Sequence, residues 1–427
     1  MTTTPHYQSG FHNYFSTQAL AGALPDGQNS PQKPPFGLYA EQLSGSAFTA
    51  SLTQNLRSWL YRILPSVSHG TFETIRAPWG DTQTTQASPQ QMRWGPHPMN
   101  ATSCDFIAGL QRYLVAGSLA QQQGGCVYLY SCDQAMQNDY FYNADGDWLI
   151  VPEQGDLAIH TEFGLLHIAP CEIAVIPRGI KFQVRPPTTP ARGYILENWG
   201  APFVLPEHGP IGPNSLANNR DFLAPVAAYE DCSGDYRLCC KFADQLWAAP
   251  IDHSPLDVVA WHGNYYPYKY DLLKFNTIGS ISFDHPDPSI FTVLTSPSLE
   301  PGVANMDFVI FPERWMVAEN TFRPPWYHRN IMSEYMGLIR GQYDAKENGF
   351  LPGGGSLHNA FSAHGPDSEG FKKATAAELK PVKYHDTLAF MFETRWLWEV
   401  TDYAANAPHR QANYSACWQG LPRQFKG

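Results

Sequence analysis

Four residues between positions 322 and 366 carry side chains that can do chemistry together: His328, Glu334, His358 and His364. Two imidazoles and one carboxylate make a facial triad. That ligand set binds non-haem Fe(II) and leaves positions open for a substrate and O2. Any one of these histidines, taken alone, is most simply a core or surface residue. The set, crowded into one stretch among aromatic residues and glycines, is what points to a metal.

The spacing constrains the fold. His328 and Glu334 are six apart. Along a straight strand six residues span roughly 20 Å, too far for one ion. On a helix they turn through about 600° and face different ways. The segment must therefore bend or reverse. A small β-barrel built from hairpins supplies such reversals, with inward side chains meeting inside it. The run approximates the first cupin motif, H-x-H-x3-E-x6-G, as His328-x-Asn330-x3-Glu334-x6-Gly341, with Asn330 where a cupin has its second histidine. The second cupin motif, P-x-G-x2-H, is approximated by Pro352, Gly354 or Gly355, and His358, one residue out of register. That template nominates His358 as the remaining ligand; the spacing alone leaves His358 and His364 both open.

The rest of the chain reads as the β scaffold such a site needs. With 36 prolines and 34 glycines in 427 residues, long helices are disfavoured and turns are frequent. A hydrophobic share of 43% is enough for a sizeable core. The expected fold is mainly β: a large N-terminal β domain, 1–275, and a smaller C-terminal cupin-like (jelly-roll-type) domain, 276–427. Residues 57–66 hold the clearest early strand. Strands follow at 126–130, 147–151, 157–160, 164–168 and 172–177, punctuated by Gly, Pro and Asp, as in a sandwich or barrel. The periodicity of 105–120 fits a short helix or a pair of strands. Residues 205–275 read as irregular, with an aromatic run at 265–270 suited to packing between domains or subunits. In the second unit, strands are expected at 280–283, 290–294, 306–311, 335–339 and 388–393. The tail after 400 reads as polar and surface-wrapping. His160 and His167 lie in a cupin-like half with no carboxylate at cupin spacing, so they read as structural.

Several classes are excluded. The net charge is −11 and no Lys/Arg run occurs, which argues against nucleic acid. No run of about 18 apolar residues suggests a membrane span. The first residues lack the basic and apolar regions of a signal peptide. A cytoplasmic location is therefore expected, and the sequons at Asn100 and Asn413 carry no meaning. The eight cysteines form no C-x-x-C and read as reduced, mostly buried thiols. No G-x-S-x-G, H-E-x-x-H or dinucleotide fingerprint is found, and glycines 353–355 lack the Lys-Ser/Thr ending of a phosphate loop. They read instead as tight backbone turning.

The strings R-P-P-W-Y-H-R-N-I-M-S-E-Y-M-G-L-I-R-G and G-F-L-P-G-G-G-S-L-H resemble the homogentisate dioxygenase family. The likeness continues through Y-A-E-Q-L-S-G-S-A-F-T at 39–49, R-S-W-L-Y-R-I-L-P-S at 57–66, G-Y-I-L-E at 193–197, G-P-I-G-P at 209–213, W-H-G-N at 261–264 and F-D-H-P-D-P-S-I-F-T-V-L-T at 283–295. One departure is His12, where the family usually has glycine.

The resemblance implies Fe(II) held by His328, Glu334 and His364, with O2 as co-substrate. It puts Tyr343, His358 and His364 beside the substrate, and His285 as the acid–base residue. It implies oxygen-dependent ring opening of homogentisate to maleylacetoacetate in tyrosine and phenylalanine breakdown, by a homo-oligomer, a hexamer built as a dimer of trimers. The runner-up is a related dioxygenase acting on another dihydroxy-aromatic acid such as gentisate. A rival of another class is a cupin-type storage or binding protein without catalysis, against which the intact His-Glu-His set argues.

Overall fold

The computed structural model describes residues 5–80, 84–100, 102–185, 190–212, 216–277, 282, 284, 291–343 and 349–427. The protein is mainly β, with 41% of residues in strands against 8% in helices. Three sheets stack to make the body. The middle one has nine strands, and its faces are buried on both sides.

The central strand Asp147–Gln154 shows why. Leu149 and Val151 enter one core; Trp148 and Ile150 enter the other. Successive side chains of a strand point to opposite faces, so a run apolar at both parities must be covered twice. The first core joins this sheet to the six-stranded sheet through Phe308, Phe390 and Phe392. The second joins it to the seven-stranded sheet through Phe141, Phe182 and Ile159. Strands on the outer sheet alternate instead: Leu157–Thr161 and Gly164–Ile168 bury every second residue.

The six-stranded sheet carries the site. Its order is Thr292–Ser296, Met306–Phe311, Leu388–Thr394, Ser333–Arg340, Gly355–His358 and Met92–Trp94. The last strand comes from far upstream, and Glu399–Val400 in return pairs with Leu110–Ser118 of the nine-stranded sheet. Tyr194 pins the two layers together: its ring packs edge-on against Phe390 at 4.8 Å, and its hydroxyl donates to Gly354 O at 2.8 Å.

Residues 205–275 are not irregular. They hold the long hairpin Ser233–Phe242 and Gln245–His253, followed by Val258–Gly263 and Tyr268–Asp271. The turn is Ala243-Asp244, both at positive φ (51° and 62°). That conformation matches strand twist, but Asn-Gly is its usual signature, so the composition concealed it. The aromatic run is divided between the two cores: Tyr268 and Tyr270 pair in the nine-stranded sheet and enter the core it shares with the six-stranded sheet, while Tyr266 enters the other core and donates to Asn13 O. Residues 105–120 contain no α-helix; the strand Leu110–Ser118 occupies most of them. The expected strand at 280–283 lies almost wholly outside the described residues. All eight cysteines are free thiols, five of them buried. Among the described residues no helix is long and apolar enough to cross a membrane.

Candidate metal centre

Glu334 stands on Ser333–Arg340, in register with His358 on one neighbouring strand and Glu393 on the other. His328 precedes this strand and His364 follows Gly355–His358. The two are joined by a pair of backbone bonds, His328 N to His364 O at 3.0 Å and His364 N to His328 O at 3.1 Å. Phe361 N to Asn330 O, at 2.7 Å, extends this bridge. The chain therefore turns between His328 and Glu334, so that three side chains distant in sequence share one point. Their ligand atoms lie within 4.8 Å of one another.

Each donor is prepared for a cation. His328 Nδ1 lies 2.8 Å from Trp326 O, and His364 Nδ1 lies 2.9 Å from Ser362 O. A carbonyl only accepts, so both Nδ1 atoms carry a proton; each Nε2 either donates to the Glu334 carboxylate or, once deprotonated, offers a lone pair to a metal. Such outer hydrogen bonds fix the tautomer and raise ligand basicity. Those Nε2 atoms stand 3.8 and 3.0 Å from the two Glu334 oxygens. Burial acts to raise the Glu334 pKa, but the bonds to His328 and His364 outweigh it and hold the carboxyl down at about 2. Burial lowers the pKa of His328, yet the same carboxylate and the Trp326 carbonyl leave it raised. Two neutral-capable nitrogens and one permanent anion form a donor set that suits a divalent cation.

Asn330, which stands where a cupin has a second histidine, holds the Glu334 carboxylate in place. Its amide donates to Glu334 Oε1 at 3.2 Å and to Glu393 Oε1 at 2.6 Å, and its carbonyl accepts from Met332 N. Burial first, then the charge of Glu334, pushes Glu393 up to about 8. Two carboxyls side by side without a cation cannot both ionise cheaply, and the uneven pair is the usual outcome. Neither Glu393 nor the link through Asn330 was legible beforehand, because strand register brings Glu393 beside Glu334 across 59 positions of sequence.

His358 is buried, its ring stacked on His364 at 4.1 Å and 8°. Its Nε2 lies 3.0 Å from the hydroxyl of Tyr414. Tyr343 is buried against Phe311 and Phe350. His285 lies outside the described residues. His160 and His167 have single acidic neighbours, Glu230 at 4.0 Å and Asp156 at 2.6 Å, and neither belongs to a metal-capable group among the described residues.

Two histidines and one carboxylate around a point, on a β scaffold, are the donor set that facial-triad metalloproteins use. Comparison with known proteins gives the particular family. Residues 6–272 match the model "Homogentisate 1,2-dioxygenase N-terminal", and residues 273–425 match "Homogentisate 1,2-dioxygenase C-terminal". Curated proteins named homogentisate 1,2-dioxygenase are similar over 99% of this chain. One from Rhodopseudomonas palustris (strain BisB18) is 58% identical over 95% of its own length. Another, from Nitrobacter hamburgensis, is also 58% identical over 95% of its length. Among solved structures, a cupin 2 conserved barrel domain protein from Leptotrichia buccalis covers 69% of this chain and 91% of its own at 9% identity, with a TM-score of 0.29. The chain belongs to the homogentisate 1,2-dioxygenase family.

Proposed function

We propose that this protein is a dioxygenase that opens the aromatic ring of homogentisate with O2, giving maleylacetoacetate with both oxygen atoms retained. The observation that carries the metal part is the convergence of His328, Glu334 and His364, with both Nδ1 atoms already engaged. The family match over nearly the whole chain supports the substrate.

Ferrous iron held by these three side chains would supply positions for substrate and O2, and redox chemistry that zinc lacks. The remaining work falls to the protein. Glu334 stays anionic across the physiological range and keeps the site's charge low. Asn330 fixes the rotamer of Glu334. His358 and Tyr343 line and orient the ring of the substrate, and His364 borders it as well. His285 takes the proton of the phenolic hydroxyl para to the one beside the acetate arm. An imidazole, with an ordinary pKa near 6.5, suits that task at neutral pH. Removing that proton pushes electron density into the ring, where the C–C bond must break.

The same reading divides the chain near residue 275, places it in the cytoplasm, and assembles it as a hexamer, a dimer of trimers. Light scattering tests the assembly, and a monomer would contradict it. The direct test of function is oxygen uptake by Fe(II)-loaded protein on adding homogentisate or gentisate. Rapid uptake with homogentisate alone is expected. Preference for gentisate would reassign the substrate, and no uptake with either would favour a binding protein.

A further inference from the structure

The C-terminal tail does more than wrap a surface. Tyr414–Trp418 forms a short 3-10 turn, and Tyr414 is buried, only 3% exposed. The Tyr414 hydroxyl meets His358 Nε2 at 3.0 Å. His358 lies flat against His364, 4.1 Å between ring centres and 8° from parallel. Four residues along, Trp418 Nε1 donates at 3.2 Å to Gly365 O, the carbonyl next to His364. The tail thus reaches the two neighbours of His364, the His358 ring that stacks on it and the Gly365 carbonyl that follows it.

The tail is itself anchored. The Arg93 guanidinium sits over the Tyr414 ring at 4.2 Å, and the Trp418 ring packs on it at 5.1 Å. Arg93 Nε donates to Gln411 Oε1 at 2.8 Å, and Gln411 Nε2 donates to Gly349 O at 2.7 Å. Arg93 lies on the Met92–Trp94 strand, which borders Gly355–His358. A strand from the N-terminal part and the tail therefore close around His358 from behind.

Histidine χ2 has a broad, roughly two-fold profile, so a buried imidazole keeps one orientation only when its nitrogens are engaged. We infer that Tyr414 is a positioning residue: its hydroxyl fixes the plane of the His358 ring, and that ring, stacked on the face of His364, in turn holds the His364 Nε2 edge towards the metal. This inference rests on the assignment of His364 as a ligand. Partners one step removed from a metal ligand are worth roughly 10–100-fold in metal affinity or activity.

The test compares Fe(II)-loaded full-length wild type, Tyr414→Phe, His358→Asn and the double variant. The readout is the rate of iron loss to an excess of chelator under anaerobic conditions. Tyr414→Phe keeps the ring, and with it the packing on Arg93 and Trp418, and removes only the hydroxyl. It should release iron about tenfold faster. The double variant should release it no faster than His358→Asn alone, since the hydroxyl acts through that imidazole. A general loosening of the tail would instead multiply the two effects, and that result overturns the inference. So does a wild-type rate for Tyr414→Phe. Trp418→Phe, which removes the bond to Gly365 O, should also speed release. Wild type that holds no Fe(II) would overturn the metal assignment itself, and the inference with it; wild type that holds iron while Tyr414→Phe behaves identically overturns the inference alone.

Discussion

Two regions of the molecule bury carboxylates in opposite ways. In the N-terminal part, Glu197 is fully buried and meets the Lys241 ammonium at 3.0 Å. Glu162 and Asp257 both lean on the Arg62 guanidinium, at 3.0 and 2.7 Å. In the six-stranded sheet Glu334 is as well hidden, at 6% exposure, but among the described residues its ion-pair partners are His328 and His364 only. A buried anion needs a compensating cation. Where the protein supplies a lysine or arginine, the charge is satisfied for good and the cluster is structural. Where it supplies only imidazoles, which can give up their protons, the carboxylate remains free to be balanced by the metal proposed above. Partner type, more than burial, separates scaffold from site.

The sharpest test of that comparison pairs two substitutions. Glu334→Ala should abolish iron binding and turnover while the protein stays folded, because its histidine partners can remain neutral. Glu197→Ala should keep iron and lose stability instead: Lys241 retains Asp145 at 2.7 Å, but the buried Asn143 amide and Tyr128 hydroxyl lose their acceptor, at a cost of about 1–3 kcal/mol. Elemental analysis and urea denaturation of both variants decide the matter. Full iron content in Glu334→Ala would remove it from the ligand set, and an unchanged unfolding midpoint in Glu197→Ala would remove the distinction.

The next effect concerns chemistry without metal loss. His285→Gln should keep iron and bind homogentisate, but turn over roughly 10²–10⁴ times more slowly, the usual contribution of a general base. Iron content, substrate affinity and turnover must be measured on one preparation. Near-normal turnover would take His285 out of the mechanism, and lost iron would make it a ligand.

How much of this was legible in sequence follows from which forces act locally. The strands at 147–151, 164–168 and 306–311 could be read because apolar periodicity is local. The need for a bend between His328 and Glu334 could be read because strand and helix geometry fix reach. The hairpin around Ala243 and Asp244 could not, since its turn uses residues without the usual composition. Nor could Glu393, Tyr414 or Trp418, which reach the site through register and tail packing. The choice between His358 and His364 needed the family, and in the fold both stand there, stacked, only His364 joining the metal-capable group.

The histidines extend the comparison to pH. The neighbouring carboxylate leaves His328 raised. His97, in contrast, is buried, 3.2 Å from the Tyr113 hydroxyl, and burial together with His409 and Arg192 depresses it to about 3. Its unfolded pKa is near 6.5. Between these values the unfolded chain binds a proton that the folded chain refuses, so stability falls as the pH falls, by about 1.4 kcal/mol per unit at the steepest. In iron-loaded protein, where the site histidines stay deprotonated, His97→Gln should flatten that slope between pH 6.5 and 4. An unchanged slope would show that His97 is protonated in the folded state.

The smallest effect lies at His12. Its φ is 53°, in the left-handed region, which costs a non-glycine residue roughly 1–2 kcal/mol. Glycine would adopt this conformation without that cost, whereas this chain places a histidine there. The His12 ring stacks on Phe11 at 4.1 Å and 19°, and stands edge-on to Tyr268 at 6.3 Å. Aromatic pairs of this kind return about 0.5–1.5 kcal/mol. Removing a side chain also loosens the unfolded state by about 0.4–1 kcal/mol. At pH 8 these contributions nearly cancel, and His12→Gly should match wild type to within about 1 kcal/mol. At pH 5 they do not. Burial, opposed by Asp147, depresses His12 to about 4, so below pH 6.5 the wild type is penalised for keeping the ring neutral. The glycine variant carries no such penalty and should gain about 1–2 kcal/mol on wild type between pH 8 and pH 5. Urea denaturation of both proteins at the two pH values measures this difference. Parallel stabilities would mean that the ring takes up its proton without leaving Phe11, and that Asp147 counts for more than burial.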